Sequence, residues 1–360
     1  MPKPPILPSS DPSITAARWL GRFPGLSRGL SRGLSLGLSL GLSLGLLPGC
    51  ASTGEEATDG VGATLQDGST VERLGPTEAV PYDEDALWKK AQEERATGLA
   101  MAEMDKALRA WNNIVLDGDA NDDLTRLDLL ESTLRHDVKK NHDLLVDQLQ
   151  TGPLVNRQVA AAALGFSENT DALGPLLGAL QDTNDDVVAN ALLGLSTLAS
   201  PKTQVASIAS LFADKTRPVN IRSNAGRTLR SLNLGALEGA PREQVIDSAR
   251  LALGDEEPAV RVYGALILAE LVDDEAIQRL SVLLTDTSPL VARAASRSIA
   301  RIGSIDSTVK GQAARALVAF IDRVDRKGVR KSLLDDLQRM AGRNYGEDTD
   351  AWIEYAHKIP

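Results

Sequence analysis

The feature that most limits what this 360-residue chain can become is a register that recurs six times. Six segments align on Asn156, Val187, Ile221, Val260, Val291 and Val329. Four residues on stand Ala160, Ala191, Ala225, Gly264, Ala295 and Leu333, and eight residues on stand Leu164, Leu195, Leu229, Leu268, Ile299 and Leu337. Offsets of zero, four and eight lie along one face of an α-helix, and a small residue in the middle lets a neighbouring helix come close. The anchors are 31, 34, 39, 31 and 38 residues apart. Each interval also holds an apolar helix ahead of the anchor, as in residues 172–177, 277–284 and 316–321. A two-helix unit of this length cannot bury its apolar face alone and must stack on copies of itself. The predicted fold is therefore all-α, an α-solenoid of about six helix pairs over residues 141–340.

Both ends of such an array need covering. Residues 83–116 form one long amphipathic run through Leu87, Ala91, Leu99, Met104, Leu108, Trp111, Ile114 and Val115, and a second helix is expected over 124–134. Residues 83–140 thus read as an N-terminal helical cap. Residues 341–360 gather Tyr345, Trp352 and Tyr355 beside the last unit. They read as a short C-terminal cap, with an aromatic pocket for a small ligand as the other use of those rings.

The turn before the fourth anchor is Asp255-Glu256-Glu257-Pro258-Ala259-Val260-Arg261, and an arginine follows the anchor in four units, at Arg157, Arg222, Arg261 and Arg330. This Asp-turn-Val-Arg-x-x-Ala-x-x-x-Leu pattern resembles the HEAT repeat family in its short bacterial form. Val188 and Ala292 depart from it, and Asn156 replaces the apolar anchor. The stretch Met340-Ala341-Gly342-Arg343-Asn344-Tyr345-Gly346-Glu347-Asp348 followed by Trp352 resembles the tail that closes many bacterial HEAT arrays, with Ala341 in place of its threonine. The resemblance implies that Asp255 and Arg261 join a ladder of hydrogen bonds between repeats. It also implies that the second helix of each unit lines a concave groove. Some bacterial relatives are phycobilin lyases, but no residue here points to a bilin.

Residues 1–49 are of another kind. Lys3, Arg18, Arg22, Arg28 and Arg32 against Asp11 give them a net +4, and from Gly25 a glycine recurs at every fourth position. No charge occurs in residues 33–49. A basic region, an apolar region and small residues at the exit make the pattern of a secretory signal. Its end, Leu47-Pro48-Gly49-Cys50, resembles a bacterial lipobox. The resemblance implies cleavage before Cys50 and acylation of its thiol and new amino group. Two other readings of these residues stay open. One is an uncleaved membrane helix packed through its small residues, although 17 residues is short for a span. The other is a slippage repeat with no packing role, the true start lying beyond Met1. Residues 50–82 lack apolar periodicity and read as a flexible tether, on the order of 30 Å as a coil and at most roughly 105 Å extended. With Ala51 and Ser52 after the cysteine, rather than Asp, the lipoprotein reading leans to the outer membrane, facing the periplasm.

Composition narrows the chemistry. The whole chain carries −10, so the part beyond residue 49 carries −14, which argues against nucleic acid as a partner. Cys50 is the single cysteine, which excludes an intramolecular disulfide and a cysteine-rich metal site. His136 and His142 are six residues apart, about 240° around a helix, and cannot pair as ligands on one face. Asp117, Asp119, Asn121 and Asp128 fall at the first, third, fifth and twelfth places of a calcium loop, but Asp122 stands where that loop needs glycine. An acidic interhelix turn is the plainer reading, and no metal or cofactor is expected.

One surface remains. Offsets two, six and ten of the second helices point away from the buried stripe. In the fifth unit these are Arg293, Arg297 and Arg301, joined by Arg227 and Arg230 two units earlier, with apolar Val262 and Leu266 between them and Leu193 nearer the N-terminus. Apolar residues among arginines on an acidic chain describe a protein-binding groove. The other reading is an arginine face tied into salt bridges with Asp286 and Glu270. The expectation is a monomeric, lipid-anchored, non-catalytic scaffold or adaptor that binds a protein partner at a bacterial envelope. A lyase-like enzyme and a purely structural envelope lipoprotein are the alternatives.

Overall fold

The computed structural model describes residues 83–117, 121–324 and 326–360. Cys50, the glycine repeat before it, the 50–82 segment and Asp119 lie outside the described residues. Every regular element among the described residues is helical: α1 (Glu84–Asp117), α2 (Asn121–Lys140), α3 (His142–Thr151), α4 (Leu154–Ala163), α5 (Leu173–Ala179), α6 (Asp185–Leu198), α7 (Val205–Ala213), α8 (Val219–Ser231), α9 (Gly239–Ala252), α10 (Pro258–Glu270), α11 (Ile277–Val282), α12 (Pro289–Ile305), α13 (Lys310–Val318), α14 (Lys327–Ala341) and α15 (Thr349–Lys358), with single 3-10 turns between several of them. None of these helices is long and apolar enough to cross a membrane.

The described chain divides into two compact units, residues 83–98 and residues 99–360. The first holds the opening of α1, where Leu87 and Trp88 are exposed and Lys90 pairs with Glu94 at 4.0 Å.

Residues 99–360 form the α-solenoid. Six pairs follow one another: α3/α4, α5/α6, α7/α8, α9/α10, α11/α12 and α13/α14. The second helices pack in sequence, α4 on α6, α6 on α8, and so on to α14. All six anchors fall in these second helices, and 17 of the 18 register positions are buried. Each large apolar side chain among them contributes roughly 1.5–3 kcal/mol relative to exposure, so the stripe is the main source of cohesion. The exception is Asn156, half-buried in the first unit, whose Nδ2 donates to Gln148 Oε1 at 2.7 Å.

Turn chemistry explains why a second helix starts where it does. Pro153 and Pro218 precede α4 and α8, and Pro258 and Pro289 open α10 and α12. Proline there carries a helical φ and lacks an N–H that would have had no partner. In the second unit Asn184 does the work instead, its side chain accepting from the Asp186 and Val187 amides. Close helix contact then depends on missing side chains. A Cβ on Gly194 would lie 2.3 Å from the Ala161 carbonyl oxygen, and one on Gly165 would lie 2.6 Å from that of Gly194.

Next to the first pair, α1 buries Met101, Met104, Leu108 and Trp111. The expected stripe is thus displaced at its start, since Leu99 is 59% exposed. Leu99 lies about 200° around the helix from Met101, so both cannot face the core. Trp111 Nε1 donates to Glu131 Oε1 of α2 at 3.1 Å, and its ring meets Phe166 edge-on at 5.2 Å. At the other end α15 packs on α13. Trp352 is fully buried there, donates from Nε1 to the Gly346 carbonyl, and stacks edge-on with Tyr345 and Tyr355. The three rings pack on one another, Tyr345 and Tyr355 with centroids 6.0 Å apart.

Candidate partner-binding groove

Two polar systems run along the stack, on different sides of the second helices. The first joins the interhelix turns. Arg157 pairs with Asp182, Arg222 with Asp255, and Arg261 with Asp286, each reaching from one unit into the turn of the next. Every one of these arginines also donates from Nη1 to a carbonyl of its own turn: Gly152, Arg217 and Asp255, respectively. Each aspartate in turn accepts a backbone amide two residues on, from Asn184, Glu257 and Ser288. Arg261 therefore engages Asp286, while Asp255 belongs to Arg222 of the preceding unit.

Where the sequence lacks the ladder arginine, the bond runs backwards. Opposite Val188, Arg217 of the third unit reaches Asp185 at 3.1 Å. Opposite Ala292, Arg326 of the sixth unit donates to the carbonyls of Thr287 and Asp286. Arg330 stays within its unit, 3.4 Å from Asp322. Every junction of the six units thus has a cationic clamp on this edge. With Asp286 engaged by Arg261, it has no place in a salt bridge with the arginine ridge.

The second system lies on the outward side of α8, α10 and α12. Arg227 and Arg230 of α8 are half-buried, as are Tyr263 and Glu270 of α10 and Arg297 of α12, while Arg293 and Arg301 are exposed. Burial works against the charge of both Arg227 and Arg230; Tyr263 opposes that shift at each, and Glu270 does so at Arg230, where Arg301 and Arg297 add to it. Burial likewise raises the carboxyl of Glu270, against the pull of Arg230 and Arg301. Desolvation thus outweighs mutual attraction at Arg230 and Glu270. Among the described residues Arg227 makes no hydrogen bond or ion pair, and Arg230 Nε is buried without a partner. Arg301 Nε donates to the Ala269 carbonyl at 3.3 Å, and Arg293 Nε to that of Pro289 in its own helix.

The apolar part of the expected groove is not there. Val262 is 2% exposed, and Leu266 and Leu193 are also buried. A second helix in this stack has neighbours on both flanks as well as behind it, so offsets two and six of α10 point into a flank and only a narrow strip faces outward. Tyr263 and Glu270 occupy that strip. Tyr263, at offset three, escaped the sequence reading, although the other units carry Val159, Asn190, Asn224, Ala294 and Ser332 at that offset and an aromatic ring stands out among them. Arg293 lies at the far end of α12, apart from the charges that act on Arg230. Beyond the fifth unit, buried Asp336 accepts from Ser296 Oγ at 2.7 Å and pairs with Arg339. Burial raises its carboxyl above the usual range.

The calcium-loop spacing fares differently. Helix α2 begins at Asn121, the fifth of the twelve places, and Asp128 is exposed two turns inside it. Residues 118–120, Asp119 among them, lie outside the described residues. Among the described residues no three His, Cys, Asp or Glu side chains gather where they could share a metal ion.

A family profile described as HEAT repeats matches residues 246–338. Among solved structures, a computationally designed armadillo repeat protein for modular peptide recognition is similar at 18% identity over 55% of this chain and 98% of its own, with a TM-score of 0.43. An engineered protein is similar at 19% identity over 54% of this chain and 96% of its own, with a TM-score of 0.40. Human deoxyhypusine hydroxylase in complex with glycerol is similar at 19% identity over 70% of this chain and 97% of its own, with a TM-score of 0.33. No curated protein matches the chain. The profile match begins in α9 and ends in α14, and together with the stacked two-helix units it supports a HEAT-repeat protein.

Proposed function

We propose that the chain is a non-catalytic scaffold or adaptor that binds a protein partner through the outward side of α8, α10 and α12, and that it is held at a bacterial envelope by acylated Cys50. One observation carries the binding part. On a chain with a formal charge of −10, arginines from two units converge on a strip where Arg227 and Arg230 make no ion pair among the described residues. Buried charges are ordinarily paired, and a face that leaves them unpaired is suited to a partner that supplies the counter-charge. The order of charge, apolar run and Leu47-Pro48-Gly49-Cys50 supports the anchor. Several acyl chains hold a protein at a membrane where one holds it only marginally, and confinement raises the effective concentration of the binding face.

Cross-linked co-purification from whole envelopes tests the adaptor: a stoichiometric protein partner is expected, and its absence overturns the reading. Fractionation of Cys50→Ala tests the anchor. The variant is expected to leave the membrane pellet, and recovery there at wild-type level removes the lipid from the account.

A further inference from the structure

We infer that the third to fifth units receive an acidic peptide segment of the partner, whose Asp or Glu carboxylates are bound by Arg227 and Arg230 on one side of Tyr263 and by Arg301 on the other. The inference rests on the partner-binding reading above and names the chemistry of its ligand. Arg227 has only Tyr263 acting on its charge among the described residues, and buried Arg230 Nε lacks an acceptor. A guanidinium does not shed its proton, so its burial is relieved by an acceptor rather than by neutralisation. Glu270 is the one carboxylate acting on Arg230 from this face, and it also serves Arg301. Three guanidinium groups, those of Arg227, Arg230 and Arg301, against one carboxylate leave a local excess of positive charge on an acidic protein, while Arg297 is already engaged and acts on Asp336. Carboxylates fit these groups because a planar guanidinium offers them two parallel N–H donors.

The ligand is a peptide segment because the adaptor reading calls for a protein partner, and Arg301 lies near enough to act on Arg230, so one short acidic stretch reaches both beside Tyr263. Nucleic acid fits less well, because a polyphosphate needs a basic track longer than this strip on a chain that is acidic elsewhere.

The test uses the purified full chain and a fluorescent peptide of about 12 residues alternating Glu and Ala, compared with its Gln-Ala counterpart and an oligothymidylate. The Glu-Ala peptide is expected to bind at least about tenfold more tightly than the other two, and Arg227→Gln with Arg230→Gln to weaken it by about tenfold or more. Equal binding of Gln-Ala, tighter binding of the oligonucleotide, or an unaffected double variant that keeps its helical circular dichroism overturns the inference. A second measurement needs no ligand. Arg230→Met removes a desolvated charge and is expected to raise the Tm of the free chain, whereas a lower Tm makes this arginine a structural member and also overturns it. Failure here is separable from failure of the adaptor reading. A partner captured equally by wild type and double variant leaves the adaptor standing without the carboxylate site. Glu-Ala binding lost in the double variant, with no partner captured, leaves the site standing without the adaptor.

Discussion

Arg222 and Asp255 face each other across the third and fourth units as a two-pronged pair, Nε to Oδ2 at 3.0 Å and Nη2 to Oδ1 at 2.9 Å. Their side chains are 10% and 3% exposed. Arg222 Nη1 also holds the Arg217 carbonyl, and Asp255 Oδ1 also accepts the Glu257 amide, so both groups are saturated from two units at once. Removing one partner strands the other as a buried charge, whereas removing both need not. Asp255→Ala is expected to cost about 3–5 kcal/mol in denaturant unfolding, and Arg222→Met with Asp255→Leu clearly less than the single change. A double variant as unstable as Asp255→Ala contradicts this account.

Two glycines of the second unit make opposite predictions. Gly194→Ala is expected to lose about 1–3 kcal/mol, because the new methyl meets the backbone of α4 rather than a movable side chain. Gly178→Ala, with nothing within 4 Å of the new atom, is expected to gain about 0.5–1 kcal/mol from reduced freedom of the unfolded chain. Thermal melts of the two variants side by side check both signs.

Ala199 ends α6 with φ of 44°, a conformation in which a Cβ crowds the following carbonyl. Ala199→Gly is expected to stabilise the chain by about 1 kcal/mol, as glycine does where a helix ends left-handed. Unchanged or lower stability in urea contradicts it.

Asp336 is buried, and its folded carboxyl titrates above the ordinary 3.8. Between 3.8 and that raised value the folded state binds more protons than the unfolded one, so the contribution of Asp336 to stability falls as pH rises. Below 3.8 the contribution is fully present, and above the raised value it has been lost. Asp336→Asn keeps a side-chain oxygen for Ser296 and removes the titration. Measured upward from about pH 4, the Tm difference between Asp336→Asn and wild type is expected to shift in favour of the variant and to level off once the pH has passed the raised value. A difference independent of pH over that window assigns the pH dependence elsewhere.

The number of units and their second helices were legible because each is a local property. A large residue at offsets zero and eight with a small one at four marks a helix face wherever it occurs, and repeating the pattern requires stacking. The ladder was half legible: Asp255 and Arg261 were recognisable as its members, but their partners were not. Pairing joins residues 25 to 33 apart whose meeting depends on how the units stack. The backward clamps from Arg217 and Arg326 carry no local mark at all.

The same division holds for the groove. Helical spacing alone places Arg227, Arg230, Arg297 and Arg301 away from the buried stripe. Whether Val262 and Leu266 meet water was decided by the helices flanking α10, which no period within α10 can reveal. The neighbourhood of Arg230, Tyr263, Glu270 and Arg301 arises from three helices lying side by side, so their opposing effects on one another exist only once the solenoid is formed. A period reports which way a side chain leaves its own helix. What it meets there depends on chain tens of residues away, and the tertiary structure alone decides it.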